Sequence, residues 1–91
     1  MQIKITEAAS DLFRKDWGFG DGDHVRIFVR YSGGGEDAFS FGIIKDTPHY
    51  PAVTAEAGGI TFFMEEKDVW YLDGKDLRVD GIAEEIVLKR Q

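Results

Sequence analysis

The hydrophobic positions of the chain change their period near residue 24, and this change separates two kinds of predicted element. A short alternating segment, Gln2 to Ile5, comes first and predicts a strand. Apolar residues at helical spacing follow Thr6, whose side chain can cap a helix at its N-terminus. The pattern therefore predicts one strand and then one helix that runs to about Asp16.

From His24 onward apolar and polar residues alternate, which is the period of strands with one buried face. Breaks that are rich in Gly, Pro and Asp separate the runs and predict turns. The segments from residue 24 onward that predict strands are 24–31, 39–43, 53–57, 60–64, 77–79 and 82–88. We therefore expect a mainly β fold of the α+β kind, a sandwich or flattened barrel of about seven short strands with one N-terminal helix.

Length and charge narrow the expected class of protein. The chain has 91 residues, which predicts a single domain over 1–91 with one modest core. Its 17 acidic and 11 basic residues give a net charge of −6, which disfavours binding to nucleic acid and to anionic membranes. No apolar run approaches the roughly 18 residues of a membrane-spanning helix, and the N-terminus alternates instead of forming a signal peptide. We therefore expect a cytoplasmic protein.

The chain contains no cysteine, and this removes several kinds of chemistry. Disulfides, thiolate nucleophiles, cysteine zinc sites and cysteine-held iron–sulfur clusters all need thiols. The serines include no G-x-S-x-G elbow, and no other arrangement that activates a nucleophile is present. These observations predict a protein that is not an enzyme, with no cofactor and no metal site.

A glycine-rich loop and one aromatic residue are the candidate contact sites. Gly33 to Gly35 allow close backbone approach, but Glu36 and Asp37 follow at once, so no phosphate loop is indicated. Phe28 lies between two arginines on the polar side of its strand, where it can join Phe63 or Trp70 in an exposed apolar patch. The alternatives are a plain hairpin tip and a sheet covered on both faces. The predicted ligand or partner contacts are Ser32, Gly33, Gly34, Gly35, Glu36 and Phe28.

The two histidines support a second hypothesis. His24 follows two aspartates at the start of its strand, and His49 lies in a turn between two prolines. Neighbouring strand residues point to opposite faces, so Asp23 and His24 are badly placed to hold one ion. A metal-binding or enzymatic role for these histidines and nearby carboxylates therefore requires the fold to bring them together.

Several segments, taken in order, indicate a family resemblance. These are the opening Ile3 to Ala9, the strand Val25 to Gly33, and the later half from Gly59 to Leu77, which contains the turn Leu72-Asp73-Gly74. Over nearly its whole length the chain resembles the HesB/IscA-like family, the A-type carriers of iron–sulfur cluster assembly. The resemblance implies a HesB-like fold and a connection to iron–sulfur cluster biosynthesis.

The functional residues of that family do not carry over. Gly34 stands where the carriers have their first cysteine, and their paired C-terminal cysteines would lie beyond Gln91. Cluster irons need thiolates or equivalent ligands, which glycine does not provide. The sequence thus predicts a cysteine-free branch of the family, a non-catalytic protein that binds a partner protein or a small ligand, with a homodimer as a further option.

Overall fold

The computed structural model of the chain describes residues 1–31, 33 and 38–91. These residues form seven strands, one α-helix and one short 3₁₀ helix. In chain order the elements are β1 (Ile3–Ile5), α1 (Glu7–Lys15), β2 (His24–Tyr31), β3 (Phe39–Lys45), β4 (Pro51–Ala57), β5 (Ile60–Glu65), the 3₁₀ helix (Val69–Leu72), β6 (Leu77–Ile82) and β7 (Glu85–Arg90). The predicted mainly β fold with one N-terminal helix is confirmed.

The strands form two open sheets. The first has the order β1-β6-β7, in which β1 runs parallel and β7 antiparallel to β6. The second has the order β3-β2-β5-β4, with β2 and β5 parallel at its centre. Pro51 begins β4 at an edge of this sheet, where a missing backbone donor interrupts no internal ladder.

Both sheets and the helix contribute to one hydrophobic core. The first sheet supplies Ile3, Leu77 and Val79, and the helix supplies Ala9 and Phe13. From the second sheet come the buried apolar residues Val25, Ile27, Ile60, Phe62 and Met64. The alternation read from the sequence predicts these inward positions because successive strand residues point to opposite faces.

The helix begins and ends close to its predicted bounds. The Thr6 side chain accepts a hydrogen bond from the backbone N–H of Ala9 at 3.2 Å, as the N-cap prediction requires. The helical spacing of the sequence predicts one apolar stripe of Ala8, Ala9, Leu12, Phe13 and Trp17. The buried face differs from this stripe, because Ser10 is buried while Ala8 and Trp17 are exposed. Ser10 satisfies its hydroxyl by donating to the Glu7 carbonyl at 3.0 Å, so the fold tolerates a polar residue there.

Two segments differ from a simple interpretation of the pattern. Val69–Leu72 has no alternation, and it forms a 3₁₀ helix that ends where Asp73 takes a left-handed φ of 52°. Gly81 does not separate two strands but lies inside β6. A Cβ on Gly81 would lie 2.9 Å from the Ala8 carbonyl carbon and oxygen, so the glycine allows α1 to pack closely on the sheet.

Candidate functional site

A groove runs between an edge strand of each sheet. β3 is one of the two outer strands of the four-stranded sheet, and β7 is one of the two outer strands of the three-stranded sheet. Edge strands present backbone N–H and C=O groups that no neighbouring strand uses. Residues of the 3₁₀ helix and of the turn behind it also line the groove, which is open to solvent and has a volume of about 660 Å³. We call this the edge groove; its lining includes Phe39, Phe41, Tyr71, Lys75, Lys89 and Arg90.

Tyr71 organises the aromatic side of the edge groove. Its ring centroid lies 5.1 Å from that of Phe41 and 6.2 Å from that of Phe39. Its hydroxyl donates a hydrogen bond to the Phe39 carbonyl at 3.0 Å, which ties the 3₁₀ helix to β3. The Arg90 guanidinium lies 4.6 Å from the Tyr71 ring centroid and donates to the Tyr71 carbonyl at 3.2 Å. Because these contacts fix both side chains, this wall of the groove is preorganised.

The aromatic wall continues onto an exposed surface that Tyr31, Phe39 and Trp70 form. Phe39 packs edge-to-face against Tyr31 on one side and Trp70 on the other, with centroids 5.5 and 5.2 Å apart. Tyr31 is 70% exposed and Trp70 is 55% exposed. Large aromatic side chains that remain this accessible, and that pack on a shared neighbour, are typical of protein-binding surfaces.

Positive charge collects around the edge groove. Lys75, Lys89 and Arg90 line it, and no carboxylate does so among the residues that the structure describes. Within the same residues, the side chains of Lys75 and Lys89 make no hydrogen bond or ion pair. The chain as a whole carries 17 acidic and 11 basic residues, so this basic lining is opposite in sign to the net charge.

A second cavity, of about 740 Å³, includes Arg26, His49 and Glu65 in its lining, but the fold already uses its main charged groups. Arg26 donates to Asp68 at 2.6 Å and lies 3.6 Å from Asp46. Burial disfavours the charged form of Arg26, but the bond to Asp68 and the nearby carboxylates outweigh this, so its pKa is raised. Both carboxylate oxygens of Glu65 accept backbone N–H groups, so this cluster holds the structure together.

The predicted contact residues are only partly described. Ser32, Gly34, Gly35 and Glu36 lie outside the described residues, so their proposed role stays a prediction. Gly33 is exposed and has a left-handed φ of 73°. Phe28 is half-buried, with its ring over Gly42 of β3 and 5.5 Å from the Arg26 guanidinium.

The exposed patch predicted around Phe28 is not assembled as expected. Phe63 is fully buried, because the face of the sheet that carries it is covered, while Trp70 is exposed. Trp70 instead contacts Phe39 and Tyr71, and no described ring contact joins it to Phe28. The contact role of Phe28 itself stays a prediction.

The structure places the two histidines in different surroundings. His24 lies at the start of β2 beside Asp23 and Lys45, whereas His49 lies against Glu65. Among the described residues there is no group of three or more His, Cys, Asp or Glu side chains that could hold a metal ion. No helix in the described part of the chain is long and apolar enough to cross a membrane.

The sequence interpretation missed the edge groove because its parts are distant along the chain. Phe39, Tyr71 and Arg90 belong to three separate segments, and only the folded arrangement of two sheet edges brings them together. One signal was present: Lys89 and Arg90 follow each other in a chain with an acidic excess. A basic pair alone, however, says nothing about which aromatic residues lie beside it.

Comparisons with known proteins give one informative relative. A curated protein of Bacillus subtilis (strain 168), named pyruvate dehydrogenase inhibitor, is 47% identical to the chain over 81 residues. The match covers 87% of this chain and 85% of the relative. No protein-family model matches the chain.

These findings overturn the predicted family and function. The assignment to the HesB/IscA-like family is wrong, and so is the link to iron–sulfur cluster biosynthesis, because the relative is named as an inhibitor of an enzyme. The alternative metal or enzymatic role for His24 and His49 has no support either. The motifs behind the resemblance follow from local geometry; the Leu72-Asp73-Gly74 turn, for example, needs two left-handed residues after a 3₁₀ helix. The chain belongs to the family of the Bacillus subtilis protein named pyruvate dehydrogenase inhibitor.

Proposed function

We propose that the chain is a non-catalytic regulatory protein that binds a pyruvate dehydrogenase and inhibits it. The observation that carries this proposal is the 47% identity to the named inhibitor over 81 residues. The match extends over most of both chains, 87% of this chain and 85% of the relative. The sequence predicts a partner without identifying it, and in this proposal the partner is an enzyme.

The surface beside the edge groove supports a protein partner. Tyr31, Phe39 and Trp70 are exposed, and Phe39 contacts each of the other two rings, which gives a continuous aromatic area. Tyr, Trp and Arg are the residues that most often contribute large shares of binding free energy in protein interfaces. Arg90 lies at the side of this area, fixed against Tyr71. A surface of this kind can bind a protein partner without any catalytic residue.

Two earlier expectations become part of the proposal, and a third stays a prediction. We propose that residues 1–91 act as one folding unit, which a single cooperative unfolding transition would support. We also propose that the protein acts in the cytoplasm, in the compartment of the enzyme that it inhibits. A homodimer, the other expectation about assembly, stays a prediction that sedimentation can test.

The test is a titration of a purified pyruvate dehydrogenase complex of Bacillus subtilis with the purified chain. NADH formation from pyruvate is followed at fixed enzyme concentration. We expect activity to fall saturably as the chain is added. If binding is tight, full inhibition should be reached when the chain and its binding sites on the enzyme are about equimolar. An unrelated protein of similar size and net charge serves as the control and should leave activity unchanged. Undiminished activity at a large molar excess of the chain would refute the proposed function.

A further inference from the structure

We infer that the edge groove is the surface that contacts the inhibited enzyme, and that it takes an extended acidic segment of that partner. This inference rests on the proposed function and specifies its interface. An extended segment can pair with the outer backbone edge of β7, or with that of β3 beyond the Phe39 carbonyl, which already accepts from Tyr71, as in strand addition to a sheet edge. Its apolar side chains would pack on the aromatic wall formed by Phe39, Phe41 and Tyr71.

The charge expected of the bound segment follows from the charge of the residues that line the groove. Three of the chain's 11 basic residues, Lys75, Lys89 and Arg90, line this one groove, without a carboxylate among the described lining residues. Lys75 and Lys89 have no ion pair within the described structure, so their charges are available to a ligand. A basic segment would meet like charges, whereas an acidic one is attracted and guided towards the groove.

Another outer strand, β4, is not a comparable site. β4 is the second outer strand of the four-stranded sheet, and its side chains at the exposed positions include Thr54 and Glu56. It lacks an aromatic wall and begins with Pro51, which has no backbone donor to offer a partner. β4 therefore provides an internal reference for experiments on β3 and β7.

The experiment compares two double variants with equal charge change. Lys75→Glu/Lys89→Glu reverses the charge of the edge groove. Lys15→Glu/Lys67→Glu is the matched control, since both lysines are exposed, without an ion pair in the described structure, and away from the groove lining. Circular dichroism and thermal unfolding confirm that both variants are folded. Inhibition of the Bacillus subtilis pyruvate dehydrogenase complex is then measured over a range of salt concentrations.

We expect the groove variant to need about tenfold or more of the protein for half inhibition, while the control stays close to the wild type. The salt dependence of inhibition should also weaken in the groove variant, because fewer ion pairs form on binding. Equal loss in both variants would indicate a general charge effect and would overturn the inference. Unchanged inhibition by the groove variant would overturn it too, while the proposed function stands.

Hydrogen exchange of the complex gives a second, independent readout. Amides of β3 or β7 should exchange more slowly when the enzyme is bound, and those of β4 should be unchanged. Protection of β4 in place of β3 and β7 would locate the contact elsewhere and overturn the inference. If the wild-type chain does not inhibit the enzyme at all, the proposed function fails, and this inference fails with it.

Discussion

The buried carboxylate of Glu65 anchors the turn between β3 and β4, and its replacement gives a sharp stability prediction. Glu65 is 5% exposed. Its two oxygens accept hydrogen bonds from the backbone N–H groups of His49 at 2.8 Å and Tyr50 at 2.6 Å. The Tyr50 carbonyl in turn accepts from the Glu66 N–H at 2.9 Å, so the turn is fixed to the end of β5 from both sides.

Glu65→Gln keeps the size of the side chain but replaces one acceptor oxygen with an NH₂ donor. That donor faces a backbone N–H, so one hydrogen bond to a charged group is lost and a partly buried amide loses its partner. Hydrogen bonds to charged groups contribute roughly 1.5–3 kcal/mol each. Because His49 and Tyr50 reach solvent, water compensates in part, and we expect a loss of about 2–3 kcal/mol in the free energy of unfolding. For a chain of this size, that corresponds to a melting temperature lower by roughly 10 °C or more.

The assay is urea unfolding followed by the fluorescence of the two tryptophans. The matched control is Glu66→Gln, which makes the same chemical change at the neighbouring, exposed position. We expect the control to unfold within about 0.5 kcal/mol of the wild type. If Glu65→Gln and Glu66→Gln have the same unfolding midpoint, the carboxylate does not anchor the turn and the reasoning is refuted.

Three further changes test the contacts that define the fold. Gly81→Ala places a Cβ 2.9 Å from the backbone of Ala8, which cannot move aside freely, and should destabilise the chain by roughly 1–3 kcal/mol in urea unfolding. Ala83→Asn/Glu84→Gly should stabilise it by about 1–2 kcal/mol, because both turn residues have left-handed φ values, 52° and 64°. Asp80→Asn should lower stability at neutral pH, and the difference from the wild type should shrink as the pH falls below about 4.

The pH dependence at Asp80 has a definite sign. Hydrogen bonds from the Thr6 hydroxyl at 2.9 Å and the Gly81 amide at 2.8 Å, with the nearby Arg78, lower the pKa of Asp80. A carboxylate with a lowered pKa stabilises the fold above its unfolded pKa, and this stabilisation is lost as the pH falls through the folded value. Below that pH the wild type and Asp80→Asn should have similar stability; a constant difference at all pH values would contradict this.

Control variants separate these effects from general ones. Gly20→Ala adds a methyl group where nothing lies within 4 Å of the added Cβ, and should not destabilise as Gly81→Ala does. Asp11→Asn removes a carboxylate that is exposed on the helix, and it serves as the control for the loss of one negative charge. If Gly20→Ala costs as much as Gly81→Ala, close packing of α1 on β6 is not the cause.

The sequence predicted those parts of the fold that depend on local periodicity. Alternation over His24–Tyr31 reproduces the bounds of β2, and Thr6 caps α1 because its side chain alone can reach the N–H of Ala9. Val69–Leu72 carries no periodic signal, so its 3₁₀ form follows from packing of Leu72 into the core. In the sequence, Gly81 resembles a break between two strands. Its role in packing becomes visible only in the structure, where the backbone of α1 lies close to it.

The candidate site was less accessible to prediction than the fold. Its walls come from β3, the 3₁₀ helix and β7, and no local pattern links Phe39 with Tyr71 or Arg90. The glycine-rich loop attracted attention because glycine clusters are visible in a sequence, whereas a groove between two sheet edges is not. The family was mistaken for a similar reason, since turn residues and alternating strands recur in unrelated β proteins.

Direct binding to a pyruvate dehydrogenase is the most decisive measurement. Isothermal titration of the purified Bacillus subtilis enzyme with the chain, together with an activity titration on the same samples, tests whether binding and inhibition are one event. We expect saturable binding whose midpoint coincides with the loss of activity. No detectable binding, together with undiminished activity at a large excess of the chain, would contradict the proposal that this protein is an inhibitor of the enzyme.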